Sequence, residues 1–270
     1  MQHVYVHGYS TREATRLRYQ ADTLASLLHS DTHYAPGSVV LEAGCGVGAQ
    51  TVTLAQNSPQ AHIIAVDRSG TSLAAAQRRV AEEGLDNVEF IEGDLFALAF
   101  KPESFDHVFV CFVLEHVADP DALIQRLMLS LKPGGTVCVI EGDHGSAFFH
   151  PESHLARHTV ECLVELQARS GGDACIGRRL FPLLHSVGLQ QVQVSPRFVY
   201  ADANHPSLVS GFTLDTFTAM VEGVRESAIA ENLMTRVDFD AGIGALRRCA
   251  EPDGVFCYTF FKATAVKPIH

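Results

Sequence analysis

The sequence predicts an α/β protein built on a doubly wound parallel sheet. Three observations predict it. Between residues 38 and 141, short apolar runs alternate with helix-compatible stretches, the order that βαβ units require. These runs are apolar at nearly every position, as strands covered on both faces are. The first of them, Val39-Val40-Leu41, opens into Glu42-Ala43-Gly44-Cys45-Gly46-Val47-Gly48, a glycine-spaced loop that lets backbone approach a ligand with no Cβ in the way.

Residues 1–37 read as an N-terminal helical lid. Ser10-Thr11-Arg12-Glu13 sets hydroxyl and acid as in a capping box, and Leu17, Ala21, Leu24, Leu27 and Leu28 recur at helical spacing. Pro36-Gly37 ends the segment. Tyr9 either folds over a bound ligand from this lid or packs as an ordinary aromatic. Strands are expected at 38–43, 61–67, 87–92, 106–113 and 135–141. Helices are expected at 49–57, 70–83 and 119–131, closed by Asn57-Ser58-Pro59, Gly84 and Pro133-Gly134-Gly135.

The rhythm changes after residue 142. Residues 150–186 read as helical with a Gly171-Gly172 break, and two longer strand-like runs follow at Gln190–Tyr200 and Val255–Ala265. Residues 38–270 are taken as one domain, with helical cap insertions at roughly 145–188 and 201–253. Insertions of this length often shape a pocket.

Composition narrows the class. The chain has 270 residues, a mean hydropathy of +0.10 and a formal charge of −11, which argues against a nucleic-acid partner. The longest clean apolar run, Val108–Leu114, is far short of the ~18 residues of a membrane span, and no signal peptide is read at the start. The seven cysteines are isolated, with no C-x-x-C pair, as suits a reducing cytoplasm. A homodimer through the helical additions is a further expectation.

Two ligands compete for the glycine loop. Gly44-x-Gly46-x-x-Ala49 matches the dinucleotide fingerprint, but Glu42 would repel a pyrophosphate at that place. S-adenosylmethionine, with a sulfonium and an α-ammonium group, would instead be attracted by it. Asp67, ending Ile63-Ile64-Ala65-Val66-Asp67, suits the ribose hydroxyls of either ligand. Asp94, in Glu92-Gly93-Asp94-Leu95, suits an adenine amino group.

With these motifs the chain resembles the class I S-adenosylmethionine-dependent methyltransferases. The resemblance rests on Leu41-Glu42-Ala43-Gly44-Cys45-Gly46-Val47-Gly48, Val66-Asp67, Gly93-Asp94, Phe105-Asp106 through Leu114-Glu115-His116-Val117, and Leu131-Lys132-Pro133-Gly134-Gly135. They follow one another in the family's order and cover residues 38–141, about two fifths of the chain. The chain is most similar to the small-molecule branch that includes quinone-ring methyltransferases. The resemblance implies a Rossmann-like seven-stranded sheet whose last strand is antiparallel. It implies that Glu42, Ala43, Gly44, Cys45, Gly46 and Gly48 hold the methionine part of S-adenosylmethionine, with Gln50 a further contact. It also implies that Asp67 binds the ribose, Arg68 and Ser69 lie near the adenine, Asp94 and Leu95 read its edge, and Cys111 and Phe112 form the floor.

The acceptor is less legible. The Asn/Asp-Pro-Pro-aromatic motif of amino-methylating nucleic-acid enzymes is replaced by Cys111-Phe112-Val113-Leu114, and the paired-glutamate loop of arginine methyltransferases is missing. A small-molecule acceptor is expected. A hydroxyl or carbon acceptor benefits from a general base. His144 is the first candidate, oriented by Asp143 or Glu141, with a turn histidine as the plain alternative; His116 is the second. His150, His154 and His158 at i, i+4 and i+8 read as a solvated helix face rather than metal ligands, so no metal is expected. Arg178-Arg179 reads as a grip for an acceptor's anionic group or as a surface pair. A non-catalytic S-adenosylmethionine-binding regulator and a nicotinamide-dependent dehydrogenase stand as rival functions.

Overall fold

The computed structural model describes residues 20–21 and 23–269. The capping box at 10–13, Leu17 and Tyr9 lie outside the described residues. One seven-stranded sheet organises the chain: β1 (Val39–Ala43), β2 (His62–Asp67), β3 (Val88–Glu92), β4 (Phe105–Cys111), β5 (Leu131–His150), β6 (Gln190–Ala201) and β7 (Val255–Val266). The strand order is β3-β2-β1-β4-β5-β7-β6. β1 to β5 pair in parallel, and β7 runs antiparallel to both β5 and β6. The order reverses between β1 and β4, so the carboxyl ends of these strands open a crevice there.

Both faces of the sheet are covered at its centre, which is why β1 and β4 are buried along nearly their whole length. On β1, Val40 joins one core with Phe109, Ile140, Leu24 and Leu28, while Leu41 and Ala43 join another with Val108, Val110, Leu123 and Leu127. The first core is roofed by α1 (residues 23–29), α2 (Thr51–Asn57) and α3 (Gly70–Glu82); the second by α4 (Pro120–Ser130). Helix starts follow capping chemistry. Ser69 accepts from the Ser72 N–H and Asp119 from the Ala122 N–H, each bond worth about 1 kcal/mol to its helix.

The second half of the chain departs from expectation at its boundaries. Strand β5 does not stop at 141; it continues to His150, pairing Phe148, Phe149 and His150 with Cys257, Phe256 and Val255 of β7. The expected cap at 145–188 therefore begins later, with α5 (His154–Arg169) and α6 (Leu180–Ser186). The physical reason is that a paired neighbour, β7, arrives from more than a hundred residues away and extends the ladder. Between β6 and β7 lie α7 (206–223), α8 (Arg225–Ala230) and α9 (Arg236–Arg248), and Val209–Thr218 within α7 is wound as a π-helix. α9 packs closely on α5: a Cβ on Gly242 would sit 2.0 Å from Thr159 Oγ1. Among the described residues no helix is long and apolar enough to cross a membrane.

Candidate functional site

A cavity of ≈ 450 Å³ opens at the carboxyl ends of β1, β2, β3 and β4 and runs under α7 to β7. Its size is that of a small-molecule site. One end is polar. Glu42, the glycine loop, Asp67, Arg68, Asp94 and Leu95 line it. The other end is aromatic, with Phe112, Phe212, Phe217, Tyr258 and Phe260 beside His144.

The glycine loop is shaped from within. Gly44, Gly46 and Gly48 have φ of +80°, +53° and +74°, a region where a side chain strains the backbone. Gly44 and Cys45 N–H both donate to Val66 O, Gly48 N–H to Cys45 O, and Gly46 N–H to Asp67 Oδ2 at 2.9 Å. Asp67 Oδ1 accepts from the Ser69 N–H, also at 2.9 Å. These four loop N–H groups are thus engaged inside the protein, which leaves a pyrophosphate fewer donors here. That geometry disfavours the dinucleotide reading.

Glu42 is the electrostatic centre of the polar end. Burial pushes its carboxyl up to about 7, with the Asp67 charge adding and the Thr51 hydroxyl opposing. Its Oε2 is buried with no hydrogen-bond partner, although the residue lines the cavity. A buried acceptor left in this state calls for a donor from the ligand, and a cationic one matches best. The residues therefore fit S-adenosylmethionine, whose ammonium would meet Glu42.

Of the residues expected to touch the donor, Ala43, Gly48 and Ser69 do not line the cavity. Ala43 faces the opposite core with Leu41 because side chains alternate along a strand. Gly48 faces α3, where a Cβ would lie 2.9 Å from Ala76 Cα, so its role is helix packing. Ser69 caps α3. Glu42, Gly44, Cys45, Gly46, Gln50, Asp67, Arg68, Asp94, Leu95, Cys111 and Phe112 all lie on the wall.

The aromatic end depends on long-range pairing. Phe256, Tyr258 and Phe260 alternate along β7 onto one face, with Tyr258 and Phe260 4.7 Å apart between centroids. Phe212 and Phe217 come down from α7, each 5.5 Å from Tyr258. Phe112 turns in at the end of β4 with a φ of +56°, 5.5 Å from Phe260. For a bulky residue that backbone is strained, and such strain concentrates at functional sites. Alternation in Phe256-Cys257-Tyr258-Thr259-Phe260 was the readable signal for the β7 wall; nothing local marked Phe212 or Phe217.

His144 does not sit at a strand end. It lies within β5, at the irregularity between Asp143 and Phe148 where pairing with β7 is interrupted, and such a bulge re-aims a side chain. Its Nδ1 is 2.7 Å from the Tyr258 hydroxyl, while its backbone N–H donates to Ala174 O. Gly142 makes room for this pair, since a Cβ there would be 2.3 Å from the Tyr258 oxygen. The expected orienting acids are otherwise engaged. Asp143 accepts two 2.7 Å bonds from Arg178, and Glu141 Oε1 accepts from the Val113 and Leu114 N–H groups. Burial and the neighbouring Glu115 push Glu141 well above the usual carboxylate range. The Tyr258 hydroxyl thus orients His144.

Other expectations are corrected in the same way. Arg178 and Arg179 are held by Asp143 and Asp173 and offer no grip to an acceptor. His150 ends β5 while His154 and His158 sit on α5, so the three do not share a helix; among the described residues no metal-binding group gathers. His116 lines the cavity, its Nε2 3.4 Å from Glu115 Oε1.

Residues 40–135 match a methyltransferase domain family. The chain is similar to demethylmenaquinone methyltransferase of Lactococcus lactis, 34% identical over 109 residues, which is 40% of this chain and 43% of that protein. It spans about half or less of the curated relatives it matches, 34% and 54% of two others. Its fold is similar to that of phosphoethanolamine N-methyltransferase 2 of Haemonchus contortus, with a TM-score of 0.56 at 19% identity over 92% of this chain and 52% of that one. It is also similar to the [4+2]-cyclase SpnF, with a TM-score of 0.53 at 19% identity over 93% of this chain and 80% of that one. The chain has the class I methyltransferase fold.

Proposed function

We propose that the protein transfers the methyl group of S-adenosylmethionine to a small, largely apolar acceptor. The carrying observation is Glu42: a buried carboxylate atom without a partner, facing a cavity whose far end is an aromatic wall with a histidine in it. S-adenosylmethionine supplies a methyl group activated on a positive sulfur. The protein's part is placement. Glu42 holds the ammonium, Asp67 and Asp94 take the ribose and adenine, and Cys111 and Phe112 form the floor between the two ends. Phe112, Phe212, Phe217, Tyr258 and Phe260 keep water out and stack a flat acceptor. Alignment of this kind contributes ~7–11 kcal/mol to a displacement. His144 takes the acceptor's proton: Nδ1–H donates to the Tyr258 oxygen and Nε2 accepts. His116 is the second candidate for this step.

The demethylmenaquinone methyltransferase likeness supports an oxygenated ring as acceptor, although it covers only the donor end. A cytosolic setting belongs to the same proposal and is supported by the seven free cysteines. Calorimetry with S-adenosylhomocysteine, followed by radiolabelled methyl transfer onto a panel of hydroxylated aromatics, tests it. Binding with transfer is expected. Binding with no transfer to any acceptor would favour the regulator, and no binding would end the proposal. His144→Ala should lower kcat about a hundredfold while leaving cofactor affinity intact.

A further inference from the structure

Gln50 stands on the loop before α2, buried and on the cavity wall. Its Oε1 lies 2.7 Å from His29 Nε2. His29 closes α1 with its ring 5.8 Å from Phe109, and its Nδ1 is 3.4 Å from Thr32 Oγ1. The Thr32 oxygen accepts from Lys262 Nζ, which also donates to Leu28 O and Asp31 Oδ1. Lys262 is a buried lysine on β7, and Asp31 is further paired with Arg197.

Proton directions follow along this chain. An ammonium only donates. The Thr32 oxygen therefore accepts from Lys262, and its own proton goes to His29 Nδ1. A neutral imidazole carries one proton, so with Nδ1 accepting it sits on Nε2 and is donated to Gln50 Oε1. Burial holds the His29 ring neutral, its pKa lowered to about 4. The carbonyl of Gln50 is thus engaged inside the protein, and its NH2 is the end that remains to donate into the cavity.

We propose that Gln50 is a fixed hydrogen-bond donor of the binding site, keyed by His29, Thr32 and Lys262, and that it receives an oxygen of the ligand. That oxygen belongs either to the amino-acid carboxylate of S-adenosylmethionine or to the methyl acceptor; this assignment rests on the methyl-transfer reading. Lys262 and His29 are positioning residues: they make the wrong amide orientation leave a buried donor or acceptor without its partner. The end of α1 and the antiparallel strand β7 thereby set the polarity of a group more than 200 residues from Lys262 in the chain.

Long-range proton–nitrogen correlation at the imidazoles reads the His29 tautomer with no ligand present. A proton on Nε2 and none on Nδ1 is expected; a protonated Nδ1 overturns the keying. S-adenosylhomocysteine and naphthol are then titrated separately into wild type and Gln50→Leu. A fall of about tenfold for S-adenosylhomocysteine alone assigns the carboxylate, and the same fall for naphthol alone assigns the acceptor. Unchanged affinity for both overturns the proposal. His29→Phe should reproduce the Gln50→Leu loss, and the double variant should lose nothing more; additive losses would show that His29 acts elsewhere. A wild type that binds neither ligand yet shows the expected tautomer defeats the methyl-transfer reading and the ligand assigned to Gln50, while leaving the keyed amide in place.

Discussion

The two ends of the cavity are built by different means. The polar end draws on Glu42 to Gln50 and the ends of β2 and β3, all inside one run of alternating strands and helices. Its geometry follows from adjoining elements: glycines at positive φ, acids at strand ends, and loop N–H groups bonded to Val66 and Asp67 at the end of the neighbouring strand β2. The aromatic end joins four distant segments, around Phe112, His144, Phe212–Met220 and Tyr258–Phe260. Its geometry follows from the β5–β7 ladder, the bulge beside Asp143 and the π-helical turn above it. Changes at the first end should act on cofactor binding and those at the second on turnover.

The sharpest way to break that division is Gly46→Arg. A side chain at Gly46 meets nothing within 4 Å and projects at the cavity, with a φ of +53°. S-adenosylhomocysteine affinity should fall by more than about a hundredfold in calorimetry, with the folded spectrum kept. The opposite end is probed by Tyr258→Phe, which removes the hydroxyl 2.7 Å from His144. Turnover should fall about tenfold with S-adenosylhomocysteine affinity unchanged. A large loss of cofactor affinity here would show that the two ends are not separate.

Glu42→Gln sharpens the comparison through pH. Its carboxyl is raised from 4.5 to about 7, so between these values the folded chain keeps a proton that the unfolded chain has released. Wild-type stability without ligand should therefore fall as pH rises from about 4.5 to about 7, by up to about 3 kcal/mol from this group. Glu42→Gln should remove that slope in thermal melts and be the more stable protein above pH ~7. Affinity for S-adenosylmethionine should move the other way, rising with pH in wild type as the carboxylate forms, and should be weak and flat in the variant.

The smallest effect is expected far from either end. Gly242→Ala gains helix propensity of about 1 kcal/mol but drives a methyl against Thr159 and Leu155. Overpacking of about 1–3 kcal/mol should prevail, lowering Tm by several degrees while cofactor affinity stays within twofold.

What was legible in the sequence has a pattern. Gly44, Gly46, Asp67 and Asp94 were readable because each is dictated by its neighbours: a turn that needs positive φ, or an acid at the end of an apolar run. Ala43, Gly48 and Ser69 belong to the same motifs, but strand alternation, packing on α3 and helix capping turn them away from the cavity. The pairing of His144 with Tyr258, and of Arg178 with Asp143, joins residues 114 and 35 positions apart, and no local signal announces such partners.

The sequence by itself determined a doubly wound sheet, the place of its crevice and the character of the glycine loop, because periodicity, glycine and strand-end acids act over a few residues. Only the tertiary structure decided that β5 runs on to residue 150, that Tyr258 orients His144, and that Lys262 reaches through Thr32 and His29 to Gln50. Those outcomes depend on which distant groups share a buried space. There an unmet hydrogen bond is costly, so the protons of the Lys262–Thr32–His29–Gln50 chain settle into the arrangement that pairs them.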